Sequence, residues 1–346
     1  MSGPTPDLPP LTTSDTRSSI SAIPLHEVEP SPVEDDEDYN NGDSYPWGSN
    51  GTNKSSDHNG ISPPDYPTNP SDIDIEKLSA SARRSTNFLG LTPARTLHIL
   101  SAVQKYATFP PTLFLAMHYT NTALIPLVTR NVREADTYLL LTRPYYQSFP
   151  LEPLMVFAPV ALHVATGIAL RIHRRRVVAK RHGAETHAQR KSIPWPKVSL
   201  TSALGYIMYP LLVGHVLVMR ITPKEVEGSS AGVGLRYFAH GIAHNPLIGH
   251  LGYATFVTIA SWHFVTGAAK YLKLSREYIT EGGLSGSLRR KWRSRIINGV
   301  AASVAAVWIA GGLGVVGRAG MATGWEAKSW DKIYGAVPLI GAMFRS

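Results

Sequence analysis

Five stretches of the chain are long enough and apolar enough to form membrane-spanning helices. They cover residues 108–128, 153–172, 198–219, 247–269 and 296–316, and apart from Arg171 none contains Asp, Glu, Lys or Arg. Crossing about 30 Å of hydrocarbon takes about 20 helical residues. Lipid offers no hydrogen-bond partner to an open backbone, which favours helices. The pattern therefore predicts an all-α polytopic membrane helix bundle with about five transmembrane helices over residues 91–346.

Local signals refine the ends of these elements. Thr92-Pro93 is typical of a helix N-cap and first turn, ahead of the first span. Proline is expected to break or kink helices, here at Pro110, Pro111, Pro126, Pro159 and Pro210. The apolar C-terminal stretch Ile333–Phe344 is too short to span and is expected to lie at the bilayer surface.

The first 90 residues have a different composition. They hold 15 acidic and five basic residues, with many Ser, Pro and Asn, and include the acidic run 34–38. Such a segment cannot bury enough apolar surface to offset the entropy of ordering its backbone, so residues 1–90 are predicted to be a disordered acidic tail. Neither a secretory signal nor a matrix presequence is recognisable at the N-terminus, so targeting is expected to depend on the membrane segments.

Basic residues cluster on alternate loops. Residues 171–197 hold nine Lys and Arg and residues 270–295 hold eight, whereas each intervening loop holds three. The positive-inside rule places both basic loops in the cytosol, and with an odd number of spans the tail shares that side. Because these clusters flank helices closely, they indicate topology and anionic-lipid contact, and no nucleic-acid partner is expected.

A repeat marks the second and fourth stretches. Residues 162–167 read Leu-His-Val-Ala-Thr-Gly and residues 262–267 read Trp-His-Phe-Val-Thr-Gly. The preceding stretches carry His118 and His215, so a helix pair with one histidine per helix occurs twice in parallel orientation. In His-x-x-Thr-Gly, the glycine leaves room beside the imidazole for a macrocycle edge, and the threonine hydroxyl can bond back to the helix.

Four intramembrane histidines have two interpretations. The depth of each histidine within its span pairs His163 with His263 and His118 with His215, and each pair could ligate a b-type haem. Alternatively, the four histidines hydrogen-bond across helices or line a polar cavity. The chain has no cysteine, so any metal chemistry must use His or carboxylates. A loop or interfacial role is favoured over metal binding for His240, His244 and His250, so no metal beyond haem iron is expected.

One segment of the tail carries a family resemblance. Residues 25–33 read Leu-His-Glu-Val-Glu-Pro-Ser-Pro-Val. This segment resembles the recruitment motif of the fungal Mdm-ten-complementing protein one family, and the membrane half resembles the same family and the cytochrome b anchor of succinate dehydrogenase. The resemblance implies a mitochondrial outer-membrane adaptor, cytosolic at its N-terminus, that supports lipid homeostasis at contact sites. It also implies that a bridge-like lipid-transfer protein binds Leu25, His26, Glu27, Val28, Pro30 and Pro32.

Three function classes remain open on the sequence. The leading interpretation is a non-enzymatic adaptor, since a short peptide stiffened by two prolines loses little entropy on docking. The alternatives are a haem b redox protein of the cytochrome b anchor type and a lipid scramblase or transporter. No Ser-His-Asp, phosphate-loop or paired-carboxylate arrangement indicates a soluble hydrolase or kinase.

Overall fold

The structure of the protein, a computed structural model, describes residues 90–184, 186–339 and 341–344. Within these ranges it contains helices and no strand, which confirms the all-α membrane fold. The acidic tail and its residues 25–33 lie outside the described ranges. The α-helices are α1 Pro93–Tyr106, α2 Phe109–Tyr119, α3 Ile125–Thr129, α4 Val132–Thr142, α5 Pro144–Gln147, α6 Ala158–Arg181, α7 His187–Ser192, α8 Leu200–Val216, α9 Thr222–Glu227, α10 Leu235–His244, α11 Pro246–Tyr271, α12 Gly283–Trp308 and α13 Gly324–Ala336.

Three of the helical segments are long and apolar enough to cross a membrane. They are Pro153–Lys180, Leu200–Glu227 and Gly283–Arg318, which contain the second and fifth predicted stretches and all but the first two residues of the third. The first and fourth stretches are also helical, but histidines and neighbouring polar or small residues lower their mean hydropathy. A bundle of five spans therefore remains a prediction, whereas a membrane protein with transmembrane helices is established.

The expected helix signals are present. The Thr92 hydroxyl accepts from the Arg95 N–H at 3.3 Å, so Thr92 is the N-cap of α1. The helix stops before the Pro110-Pro111 pair and restarts at α2. π-Helical segments lie at Thr120–Leu124 and Pro153–Phe157, just ahead of Pro126 and Pro159, where the proline ring disturbs the regular hydrogen-bond ladder.

The packing follows the predicted repeat. In the first unit, α1 packs along α6, and in the second unit α8 packs along α11, while α12 lies against α11. The N-terminal helix of each unit therefore lies beside the helix that carries His-x-x-Thr-Gly. This arrangement places His163 beside α1 and His263 beside α8.

The C-terminal helix closes a small core with α10. Tyr237 of α10 stacks on Tyr334 of α13 with ring centroids 4.6 Å apart, and Trp330 meets Tyr237 edge-on. The Tyr334 hydroxyl donates to the Tyr237 carbonyl at 3.0 Å, and the Tyr237 hydroxyl donates to the Val218 carbonyl at 3.1 Å. Ile333 is almost fully buried in this core. Burial raises the pKa of both tyrosines, so they stay neutral hydrogen-bond donors.

This core bears on one expectation. The stretch Ile333–Phe344 was predicted to lie on the bilayer surface, and its side chains Ile333, Tyr334 and Val337 are buried against protein. Lipid does not cover these three side chains, because α10 presents an apolar face that only long-range folding brings to α13. The position of the stretch at the bilayer surface stays a prediction.

Two polar contacts join the connecting helices. Glu152 and Arg220 form a two-bonded ion pair at 2.5 and 2.6 Å, and both side chains are mostly buried. The Asp136 carboxylate of α4 accepts from the Leu235 N–H at 2.8 Å, at the start of α10. These contacts tie the segment after the first predicted span to the segment after the third.

Candidate functional site

The structure brings both predicted histidine pairs together. The imidazoles of His163 on α6 and His263 on α11 have ring centroids 6.4 Å apart, with planes at 78°. Those of His118 on α2 and His215 on α8 are 6.0 Å apart, with planes at 68°. All four side chains are half-buried. Each helix of the two-unit repeat thus contributes one histidine to a pair that joins the units.

The His163–His263 pair is held in equivalent ways by the two units. Nδ1 of His163 lies 3.0 Å from the Gln104 carbonyl oxygen, and Nδ1 of His263 lies 2.9 Å from the Thr201 carbonyl oxygen. A carbonyl only accepts, so each Nδ1 carries the proton and each Nε2 presents a lone pair. This is the tautomer that a metal-ligating histidine adopts, oriented by a backbone carbonyl.

The residues after each histidine also match. The hydroxyls of Thr166 and Thr266 donate to the carbonyls of Leu162 and Trp262, at 2.7 and 2.6 Å, as the spacing predicted. The glycines differ, since a methyl added at Gly267 would meet nothing within 4 Å, whereas one added at Gly167 would meet the Gln104 side chain at 2.9 Å. Open space beside the glycine therefore exists in the second unit and not in the first.

The His118–His215 pair has a more apolar setting. His118 stacks on Phe114 and meets Trp308 edge-on, with centroids 5.3 and 6.0 Å away. A cavity of about 300 Å³ adjoins His215, and its mainly apolar lining includes Gly214, Phe238 and Phe256. Glycine and aromatic rings beside an imidazole suit a flat apolar ligand.

Both pairs pass a simple test of fit to haem. Two imidazoles that share one iron have ring centres about 6 Å apart, because each Fe–N bond is about 2 Å and each ring centre lies about 1 Å behind its nitrogen. The separations of 6.0 and 6.4 Å match that value. The donor set of neutral imidazoles is the one that b-type haem uses.

A second cluster lies outside the bundle interior. The Nε2 atoms of His240 and His244 lie 2.8 and 2.6 Å from Oδ1 of Asp331 on α13. His250 is separate, since its Nδ1 contacts the Pro246 carbonyl of its own helix. The spacing of four residues between His240 and His244 signals a shared helix face, but the sequence gives no sign that Asp331 joins them.

The predicted partner-binding residues fall outside the described ranges. Leu25, His26, Glu27, Val28, Pro30 and Pro32 all precede residue 90. The recruitment peptide therefore remains a prediction from the sequence.

Comparison with known proteins supports the resemblance of the membrane half. Residues 210–321 match the family model described as MDM10-complementing protein 1, transmembrane domain. The mitochondrial adapter protein MCP1 of Saccharomyces cerevisiae is 24% identical over 145 residues, which cover 36% of this chain and 47% of that protein. The match thus spans about half the length of this relative. No solved structure matches the chain.

Proposed function

We propose that this protein is a mitochondrial membrane adaptor, because residues 210–321 match the family model of the MDM10-complementing protein 1 transmembrane domain. The helix bundle anchors the chain, and the acidic tail presents residues 25–33 to a bridge-like lipid-transfer protein. The observation that carries the proposal is the family match, and the adapter role in the name of the yeast relative supports it. In this role the protein acts by binding and catalyses no reaction.

The proposed location is the mitochondrial outer membrane, with the tail in the cytosol. The strongly basic loops at 171–197 and 270–295 support this orientation. The less basic loops contribute α4, α9 and α10, and the C-terminal α13 packs against α9 and α10. This packing of α13 on helices of the less basic loops supports a topology in which α13 lies opposite the tail, as an odd number of spans requires.

Tags at the two termini test this topology. In intact mitochondria, protease should remove a tag at Met1 and leave a tag at Ser346 protected. Removal of both tags would refute the odd number of spans and leave the family assignment in place.

Recruitment can be tested in the tail. Pro30→Ala with Pro32→Ala should abolish co-localisation of the lipid-transfer protein, because the peptide loses its fixed backbone angles and its ring contacts. Pro4→Ala with Pro6→Ala is the matched control, since those residues share the Pro-x-Pro pattern without the Leu-His-Glu-Val flank. Normal recruitment by the first variant, or equal loss in the control, would contradict the assigned motif.

A second candidate function is haem b binding within the bundle. The observation that favours it is the pair of equivalent Nδ1-to-carbonyl contacts, which leave the Nε2 lone pairs of His163 and His263 available to a metal. His163 and His263 would hold one haem, and His118 and His215 would hold another. A bound haem with two histidine ligands supplies one-electron chemistry.

The absorption spectrum of the purified protein tests this candidate. A low-spin Soret band should appear, and His163→Ala and His263→Ala should each remove the same component because they break one pair. His250→Ala is the control, since His250 belongs to neither pair. A folded wild-type preparation that takes up no added haem would refute the cofactor, and the recruitment experiment would be unaffected.

A further inference from the structure

Two histidines and one carboxylate converge where α10 meets α13. His240 and His244 lie four residues apart, so both side chains leave α10 on one face. Their Nε2 atoms are 3.2 Å apart, and Asp331 Oδ1 lies within 2.8 Å of each. Three potential ligand atoms thus lie within 3.2 Å of one another, although Asp331 is 87 residues from the nearer histidine.

The surroundings hold these rings in place while leaving a route from solvent. His240 is fully buried and meets Trp330 edge-on, and His244 packs against Phe344. The Asp331 side chain remains 42% exposed, so an ion can approach from that side. Burial alone would raise the pKa of Asp331, but hydrogen bonds from both histidines outweigh it and keep the pKa below its ordinary value.

We propose that His240, His244 and Asp331 form a binding site for a divalent transition-metal ion of the zinc type. Two imidazoles and one carboxylate are a common zinc ligand set, with a fourth position open to water. Zn–N and Zn–O bonds of about 2.0–2.1 Å place tetrahedral ligand atoms about 3.3 Å apart. The separations of 2.6, 2.8 and 3.2 Å are shorter, so the three groups must move apart by up to about 0.7 Å to accept the ion.

Metal uptake requires a change of tautomer at His240. The Ala322 N–H donates to His240 Nδ1 at 3.2 Å, so without metal the proton of the neutral ring is on Nε2 and is donated to Asp331. A metal on Nε2 moves that proton to Nδ1, and the hydrogen bond from Ala322 must then break. Within the residues that the structure describes, a change of tautomer at His244 breaks no such hydrogen bond.

The turn that contains Ala322 has the backbone freedom to move. It runs between Gly320 and Gly324, which have φ of 82° and 68°, in the region that glycine adopts most readily. Residues 321–323 are exposed or half-buried. Bound metal therefore holds α10 against α13, and the turn loses the hydrogen bond between the Ala322 N–H and His240.

Direct titration tests the site. Full-length protein, purified in detergent with an affinity tag other than polyhistidine and stripped with chelator, should bind one Zn²⁺ per chain, and Co²⁺ should give the visible bands of a low-coordinate site. His244→Ala and Asp331→Asn should each weaken binding at least about 100-fold, since each removes a direct ligand. His250→Ala should leave binding unchanged, because its imidazole contacts its own helix.

Hydrogen exchange gives a second readout that does not depend on affinity. Zn²⁺ should slow amide exchange in α10 and α13 and speed it at Ala322, and neither change should occur in Asp331→Asn. Failure of the wild type to bind micromolar Zn²⁺, binding that survives both ligand substitutions, or slower exchange at Ala322 would each overturn the proposal.

Discussion

Gly241 is the position where a single methyl group should do the most damage to the C-terminal core. It lies inside α10, facing Tyr334 of α13. A Cβ added there would lie 2.7 Å from the Tyr334 ring carbon Cε1 and would overlap the hydroxyl end of the ring. Tyr334 is only 3% exposed and stacks on Tyr237 and Phe344, so the ring cannot turn without losing those contacts.

The size of the effect follows from three contributions. Overpacking a well-packed site costs about 1–3 kcal/mol, and the upper end applies because several atoms of one rigid ring are struck. Displacing the ring also breaks the 3.0 Å bond from the Tyr334 hydroxyl to the Tyr237 carbonyl, which contributes about 1 kcal/mol. Replacing a helical glycine with alanine returns about 0.5–1 kcal/mol. The expected net destabilisation of Gly241→Ala is about 3 kcal/mol.

Thermal unfolding of the solubilised chain measures this effect. A loss of about 3 kcal/mol should lower the midpoint by about 6–12 °C in a bundle of this size. Tryptic cleavage at Lys328 and Lys332, which requires local opening of α13, should accelerate in parallel. Gly299→Ala is the matched control, since Gly299 lies inside α12 with nothing within 4 Å of an added Cβ. A midpoint for Gly241→Ala at or above that of Gly299→Ala would refute the packing argument.

Three further outcomes follow from contacts described above. Glu152→Ala should destabilise the bundle by about 2–4 kcal/mol, because it leaves the mostly buried Arg220 without its carboxylate, and unfolding midpoints will show this. The pKa of Asp331 is depressed, so the contribution of its carboxylate to the free energy of unfolding is complete above the ordinary Asp pKa and is lost as the pH falls through the depressed value. An acid titration of unfolding should show this pH dependence in the wild type, and the Asp331→Asn variant should lack it. Gly205→Ala places a methyl 2.7 Å from a ring carbon of His263, so it should shift the spectrum of any haem held by that pair and leave the other pair unchanged.

Sequence reasoning succeeded where the determining contacts are local or repeated. The Thr92 cap and the hydroxyl contacts of Thr166 and Thr266 involve partners within four residues, so spacing alone predicts them. The histidine pairs could be assigned because the repeat and the depth of each residue constrain one another. That these pairs bind haem remains a prediction.

Contacts between distant segments were not predictable in the same way. Burial of Ile333 depends on an apolar face of α10 about 90 residues earlier, and a short apolar stretch gives no sign of whether protein or lipid covers it. Asp331 joins His240 for the same reason, through folding of separate helices. The number of spans stays a prediction, because three of the five stretches lie in helices that meet the length and hydropathy of a membrane span.

The carbonyl acceptors of the His163–His263 pair show how the two repeat units can keep one geometry with different residues. Position 104 is glutamine and position 201 is threonine, yet both supply the same main-chain oxygen to a histidine 59 or 62 residues later. Since every residue type carries that oxygen, the hydrogen bond that orients each imidazole does not depend on which side chain is present at these two positions. The histidine and the threonine of each helix contribute side-chain atoms to the shared geometry, so these residues need to stay alike. Two repeat units can thus share one geometry although most of their residues differ.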